Sequence, residues 1–177
     1  MIYDRHVHRR LLLPIVLITG CGVADFDITE PIAEQRVQGS PLPGPLAVLF
    51  PLPLNVDLSS RIKAMETGPI DSVTLSRLTL QITPTAQPSG DSDDWSFVDE
   101  IRVFVKSNQS GSTLPRVEIA SVANPGSVST LEFAVNGDVD LNPYVNEGSV
   151  VEGESAGRLP PDDVTYAGEG VFTVHPL

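Results

Sequence analysis

The sequence predicts an all-β fold, an antiparallel β-sandwich that is immunoglobulin-like in style and carries one or two short helical turns. The 177 residues include 16 prolines and 14 glycines, which recur every few residues after position 39 and would break any long helix. Hydrophobic residues make up 41% of the chain and charged residues 19%. This is enough apolar material for a core and too little charge for a disordered chain. Short segments of alternating apolar and polar residues are typical of two packed antiparallel sheets.

The strands are predicted from segments in which apolar residues recur at every second position. The first strand begins at Phe26, and Pro31 would confine it to the edge of a sheet. In the segment that begins at residue 71, the alternation changes phase at Ser76 and Arg77, which predicts a β-bulge. The remaining predicted strands cover residues 54–58, 101–105, 117–119, 131–135, 164–166 and 171–174. The Cys…Trp…Cys signature of true immunoglobulin domains is absent, so the likeness concerns architecture alone.

Two short helical segments are expected between these strands. Residues 59–66 place apolar side chains on one face, and Gly68 followed by Pro69 would end the helix. Asn142 followed by Pro143 is typical of a cap with proline at the first helical position, and it predicts one further helical turn.

The charge of the chain excludes nucleic acid as a partner. The formal net charge is −12, and the basic residues beyond residue 20 occur singly along the sequence. Because nucleic-acid binding requires a basic patch or stripe, no electrostatic footprint for a phosphate backbone is present.

The N-terminus has the order of a signal peptide. Residues 1–10 are basic, an apolar run from Leu11 to Ile18 follows, and small residues come next. The run contains Pro14 and is much shorter than the roughly twenty residues that a membrane-spanning helix needs. The tetrapeptide Ile18-Thr19-Gly20-Cys21 then resembles the lipobox of bacterial lipoproteins. The alternative is that this segment is buried in the domain and that Cys21 is an ordinary core thiol.

The resemblance implies cleavage between Gly20 and Cys21, a diacylglycerol on the Cys21 thiol, and a fatty acid such as palmitate on the new amine. It divides the chain into a signal peptide (1–20), a lipidated tether (21–25) and a single β-sandwich domain (26–177). Since Gly22 stands where aspartate favours retention in the inner membrane, the outer membrane is the expected location. The predicted partners are the membrane, through the lipid anchor, and an envelope protein or glycan.

An acidic segment supplies the candidate metal ligands. Asp91, Asp93 and Asp94 lie close together beside Trp95, and several carboxylates from one loop are what a hard cation such as calcium requires. The alternative is a solvated loop in which Trp95 covers an end of the core. The D-x-D-x-N spacing that begins at Asp138 matches only the opening of a calcium loop. No other cofactor is expected.

Catalytic motifs are missing from the sequence, so the protein is expected not to be an enzyme. After signal cleavage the one remaining histidine would be His175, near the C-terminus. A Ser-His-Asp arrangement would then depend on a poorly ordered chain end. The predicted function is a lipid-anchored cell-envelope lipoprotein with a non-catalytic binding or structural β-domain. The alternatives are a calcium-dependent adhesion or carbohydrate-binding module, and a hydrolase that uses a pair of carboxylates.

Overall fold

The computed structural model describes residues 24–42, 44–45, 49–50, 68–85 and 91–177. These residues form nine strands, one short α-helix and one 3-10 turn. Their bounds are β1 (Phe26–Val37), β2 (Leu49–Phe50), β3 (Ile70–Thr83), the 3-10 turn (Trp95–Phe97), β4 (Val98–Ser107), β5 (Val117–Ala123), β6 (Thr130–Glu132), β7 (Ala134–Val135), α1 (Asn142–Glu147), β8 (Ser149–Gly157) and β9 (Val164–Pro176).

The strands form two antiparallel sheets, which confirms the predicted all-β sandwich. One sheet has the order β1-β9-β3-β6 and the other the order β2-β8-β4-β5-β7. Four of the strand pairs are nested along the chain, because β4–β5 lies within β3–β6, which lies within β2–β8, which lies within β1–β9. A ribbon of nested antiparallel pairs that wraps into two sheets is a jelly roll. The pairing of Phe26 with Val174 closes the outermost pair and brings the two ends of the domain together.

The core lies between the inner faces of the two sheets, where alternate residues of each strand point inward. Ile101, Val103 and Val105 of β4 are almost completely buried there. Trp95 is completely buried at one end of the core. Its ring stacks there on the ring of Phe97, with centroids 5.7 Å apart. The Trp95 indole Nε1 also donates to the Ser129 carbonyl oxygen at 3.2 Å, so its polar atom is satisfied within the buried end.

Two local predictions are confirmed by the backbone. The register of β3 against β9 shifts between Leu75 and Arg77, where the sequence predicts a bulge. The predicted helical turn is α1, with proline in its first turn, but its N-cap is Leu141 without a side-chain cap hydrogen bond, so Asn142 is the first helical residue and not the cap. The Asp140 carboxylate fixes this helix to β3, since it accepts from the backbone N–H of Asn142 at 2.9 Å and of Val73 at 3.0 Å.

A close approach between β9 and β3 depends on Gly168. A Cβ atom at this position would lie 2.2 Å from the Thr79 carbonyl oxygen and 2.7 Å from Leu80 Cδ2. Both contacts are far shorter than van der Waals separation, so only glycine fits here without moving the strand.

Several predictions fall outside the described residues, namely the signal peptide, cleavage after Gly20, lipidation of Cys21, the strand at 54–58 and the helix at 59–66. Within the described residues, no helix combines the length and the apolar character needed to cross a membrane.

Candidate interaction surface

The outer face of the five-stranded sheet carries a buried aromatic ring outside the core. Phe104 is only 6% exposed, yet it does not belong to the cluster of core residues. Its neighbours Val103 and Val105 point inward, so alternation along β4 places the Phe104 ring on the outer face. The ring is covered there by two guanidinium groups, whose Cζ atoms lie 3.5 Å (Arg116) and 5.0 Å (Arg102) from its centroid.

Ion pairs across the strands surround this ring. Arg116 Nη2 donates to Glu154 Oε1 at 2.6 Å and Arg116 Nε donates to Glu152 Oε2 at 3.3 Å. The Arg116 side chain therefore starts beside β5, crosses Phe104 on β4 and reaches two carboxylates on β8. Lys106 also pairs with Glu152. We call the outer face formed by these groups the Phe104 surface, and its members are Arg102, Phe104, Lys106, Arg116, Glu118, Glu152 and Glu154.

The electrostatics of the Phe104 surface favour fully charged side chains. Arg102 donates through Nε at 2.8 Å and through Nη2 at 2.5 Å to the same oxygen of Glu118, and this hydrogen bonding raises the pKa of the Arg102 guanidinium. The hydrogen bond from Lys106 and, to a smaller extent, the hydrogen bond from Arg116 lower the pKa of the Glu152 carboxyl. Each basic side chain of this surface thus lies beside a carboxylate of the same surface.

The predicted metal ligands are brought together only in part. Asp91 and Asp93 meet around Thr85, whose backbone N–H donates to Asp91 and whose hydroxyl donates to Asp93 at 3.3 Å. Asp94 serves another purpose, because its Oδ1 accepts from the Ser96 N–H at 2.9 Å and caps the 3-10 turn. No group of three or more metal-ligating side chains is arranged around a common point in the described part of the chain. Calcium binding at Asp91, Asp93 and Asp94 stays a prediction.

The three carboxyl groups differ in their pKa because their surroundings differ. Hydrogen bonds from the backbone N–H groups of Asp93 and Thr85 lower the pKa of Asp91, and hydrogen bonds from Ser96 lower the pKa of Asp94. Burial and then the charge of Asp91 raise the pKa of Asp93. The loop beside the buried Trp95 is thus held by hydrogen bonds to its own carboxylates.

A pocket of ≈ 310 Å³ opens at this end of the sandwich. Its wall contains one basic side chain, two hydroxyl side chains and four apolar ones. These are Arg158, then Ser40 and Ser96, and then Pro41, Phe97, Leu159 and Pro161.

Groups with catalytic potential are engaged in local structure. His175 Nδ1 lies 3.0 Å from Asp25 Oδ2 at the end of β9. Ser107 and Ser112 both donate at 2.6 Å to Glu147 Oε2, which lowers the pKa of that carboxyl and fixes the loop after β4 to α1. These contacts tie chain ends and loops to the sandwich.

The Phe104 surface was not among the sites predicted from the sequence. A signal was present, since Val103, Phe104 and Val105 are consecutive apolar residues in a strand whose alternation would otherwise place a polar side chain at 104. An apolar residue at an outward position between Arg102 and Lys106 indicates that something covers it. The side chain that covers the ring belongs to Arg116, which directly precedes strand β5. No local pattern in the sequence shows that this contact exists.

No protein-family model and no curated protein matches the chain. The chain is similar to chains of solved virus structures. For mud crab tombus-like virus the TM-score is 0.31 at 11% identity, over 99% of this chain and 95% of that one. For Desmodium yellow mottle tymovirus the TM-score is 0.21 at 16% identity, over 100% of this chain and 97% of that one. For turnip yellow mosaic virus the TM-score is 0.24 at 15% identity, over 98% of this chain and 92% of that one.

These findings correct the predicted function, location and partners. The similar structures are those of viruses, so the prediction of a bacterial lipoprotein in the outer membrane, bound to an envelope protein or glycan, is wrong, and its alternatives are not retained. That prediction depended on the match from Ile18 to Cys21, and four residues of common types carry no information about the domain at 26–177.

Proposed function

We propose that this chain is a non-enzymatic structural domain that acts by associating with further copies of itself. The observation that carries the proposal is the nested strand order of a jelly roll, an architecture that recurs in the shell-forming domains of viruses. Fold by itself does not define function, so a surface suited to protein contact is also required.

The Phe104 surface supplies that second support. Arginine and aromatic residues are enriched in the cores of protein interfaces, and here an aromatic ring lies beneath two guanidinium groups. The whole chain has a formal net charge of −12, which opposes association of like copies in general. The Phe104 surface is an exception to this acidity, because its cations are paired with its carboxylates.

Sedimentation velocity of the full-length chain over a wide concentration range, followed by electron microscopy, tests this proposal. We expect species larger than the 18.9 kDa monomer that grow with concentration, dissociate on dilution and form regular particles. Reversibility on dilution is the control for non-specific aggregation. A chain that remains monomeric at every concentration would overturn the proposal.

A further inference from the structure

The Phe104 surface is set apart from the rest of the molecule by its charge. Half of the basic residues that the structure describes lie on it, namely Arg102, Lys106 and Arg116. Each of them pairs with a carboxylate of the same surface, and the exposed Glu100 lies beside this surface near the start of β4. Two copies of this acidic chain therefore repel each other least when these faces meet.

Four of the charges on this surface form two stripes, whereas Arg116 and Glu118 belong to the chain at β5. Glu152 and Glu154 point outward from β8, whereas Arg102 and Lys106 point outward from the adjacent strand β4. Register places Glu154 beside Arg102 and Glu152 beside Phe104. Neighbouring strands lie about 4.8 Å apart, so a negative stripe and a positive stripe run side by side along the sheet.

Such an arrangement is self-complementary. Resting on the proposed function, we infer that two copies dock through the Phe104 surface about a two-fold axis that runs along the strands between β4 and β8. This axis places β8 of each copy over β4 of the other, so that Glu154 faces Arg102 of the second copy. It also places Glu152 over Phe104 of the second copy, near the guanidinium groups that cover that ring. An isologous contact of this kind requires each patch to fit itself.

Docking at this surface leaves no buried ion unpaired. Burial of a charge is costly when the charge loses its partner, but each cation of the Phe104 surface keeps the carboxylate that it already contacts. The second copy adds a further layer of opposite charge and covers the guanidinium groups above Phe104. The contact is expected to weaken as salt screens the stripes.

Charge reversal of one stripe at a time tests the inference in the full-length chain. Arg102→Glu with Lys106→Glu makes both stripes negative, and Glu152→Lys with Glu154→Lys makes both positive. Each double variant alone sets like charges against each other, so we expect its dissociation constant to rise at least tenfold. An equimolar mixture pairs a negative surface with a positive one, and we expect association to return as a complex that contains one copy of each variant, measured by sedimentation and native mass spectrometry.

A matched control carries the same change of net charge elsewhere. Arg36→Glu with Arg77→Glu alters two exposed arginines outside the Phe104 surface and is expected to associate like the unmodified chain. The fluorescence of the buried Trp95 checks folding, and where a reversal unfolds the chain the corresponding glutamine variants replace it.

The outcomes separate this inference from the proposed function. If the unmodified chain associates and the stripe variants associate equally well, or their mixture fails to restore association, the docking inference is overturned while the proposed function stands. If the unmodified chain itself remains monomeric, the proposed function fails, and the inference fails with it.

Discussion

Stacking of Arg116 on Phe104 gives a quantitative prediction for the Phe104 surface. The guanidinium carbon lies 3.5 Å from the ring centroid, and the ring is almost fully covered. A partly desolvated cation–π contact of this kind contributes about 1 kcal/mol. Phe104→Leu keeps an apolar side chain but removes the ring, and Arg116→Gln removes the cation. The double variant should be more stable than the sum of the single losses implies, by a coupling energy of about 1 kcal/mol.

Urea unfolding, followed by fluorescence, measures this coupling. The chain contains one tryptophan, and Trp95 is completely buried, so its emission reports loss of the native core. The measurement is made at a concentration at which the chain is monomeric, because association adds its own stabilisation. The single variant Arg116→Gln should also lose about 0.5 kcal/mol for each exposed ion pair, and this part cancels in the cycle.

The control cycle combines Phe104→Leu with Arg77→Gln. Arg77 is exposed, pairs with Glu169 at 3.2 Å and lies on the other sheet, so its effect should add to that of Phe104→Leu within about 0.5 kcal/mol. A coupling between Phe104 and Arg116 no larger than this control would refute the stacked geometry and remove the physical basis of the Phe104 surface.

Three further predictions concern the sandwich itself. Gly168→Ala should destabilise the protein by about 2 kcal/mol or more in urea unfolding, because the added Cβ would clash with the backbone of β3. The control Gly137→Ala has open space around it and should change stability by at most about 1 kcal/mol. Equal effects of the two substitutions would contradict the close approach of β9 to β3. Asp140→Ala should cost about 1–3 kcal/mol by leaving backbone donors unpaired, and Asp138→Ala should cost less than about 0.5 kcal/mol. Since the pKa of Glu152 is lowered from 4.5 in the folded state, its stabilisation is present above pH 4.5 and is lost as the pH falls through the lowered value. Glu152→Gln should therefore flatten the acid side of the stability profile, and an unchanged slope would argue against its ion pairs.

Local patterns in the sequence predicted the features that depend on neighbouring residues. Alternation of apolar residues is a property of each strand by itself, so the all-β class and the bulge between Leu75 and Arg77 could be predicted. The turn of α1 could be predicted because proline is favoured in the first turn of a helix, although Asn142 is not its cap. The match from Ile18 to Cys21 was equally local, and for that reason it could not report what the domain does.

The tertiary structure alone decided which strands pair and which side chains meet. The nested order depends on contacts such as Phe26 with Val174, which are separated by almost the whole domain, and alternation does not encode partner choice. The sequence marks Phe104 as apolar at an outward position, but the guanidinium that covers it belongs to Arg116, which enters from before another strand. Charges scattered singly along the chain became a balanced array only because antiparallel register placed β8, β4 and β5 side by side.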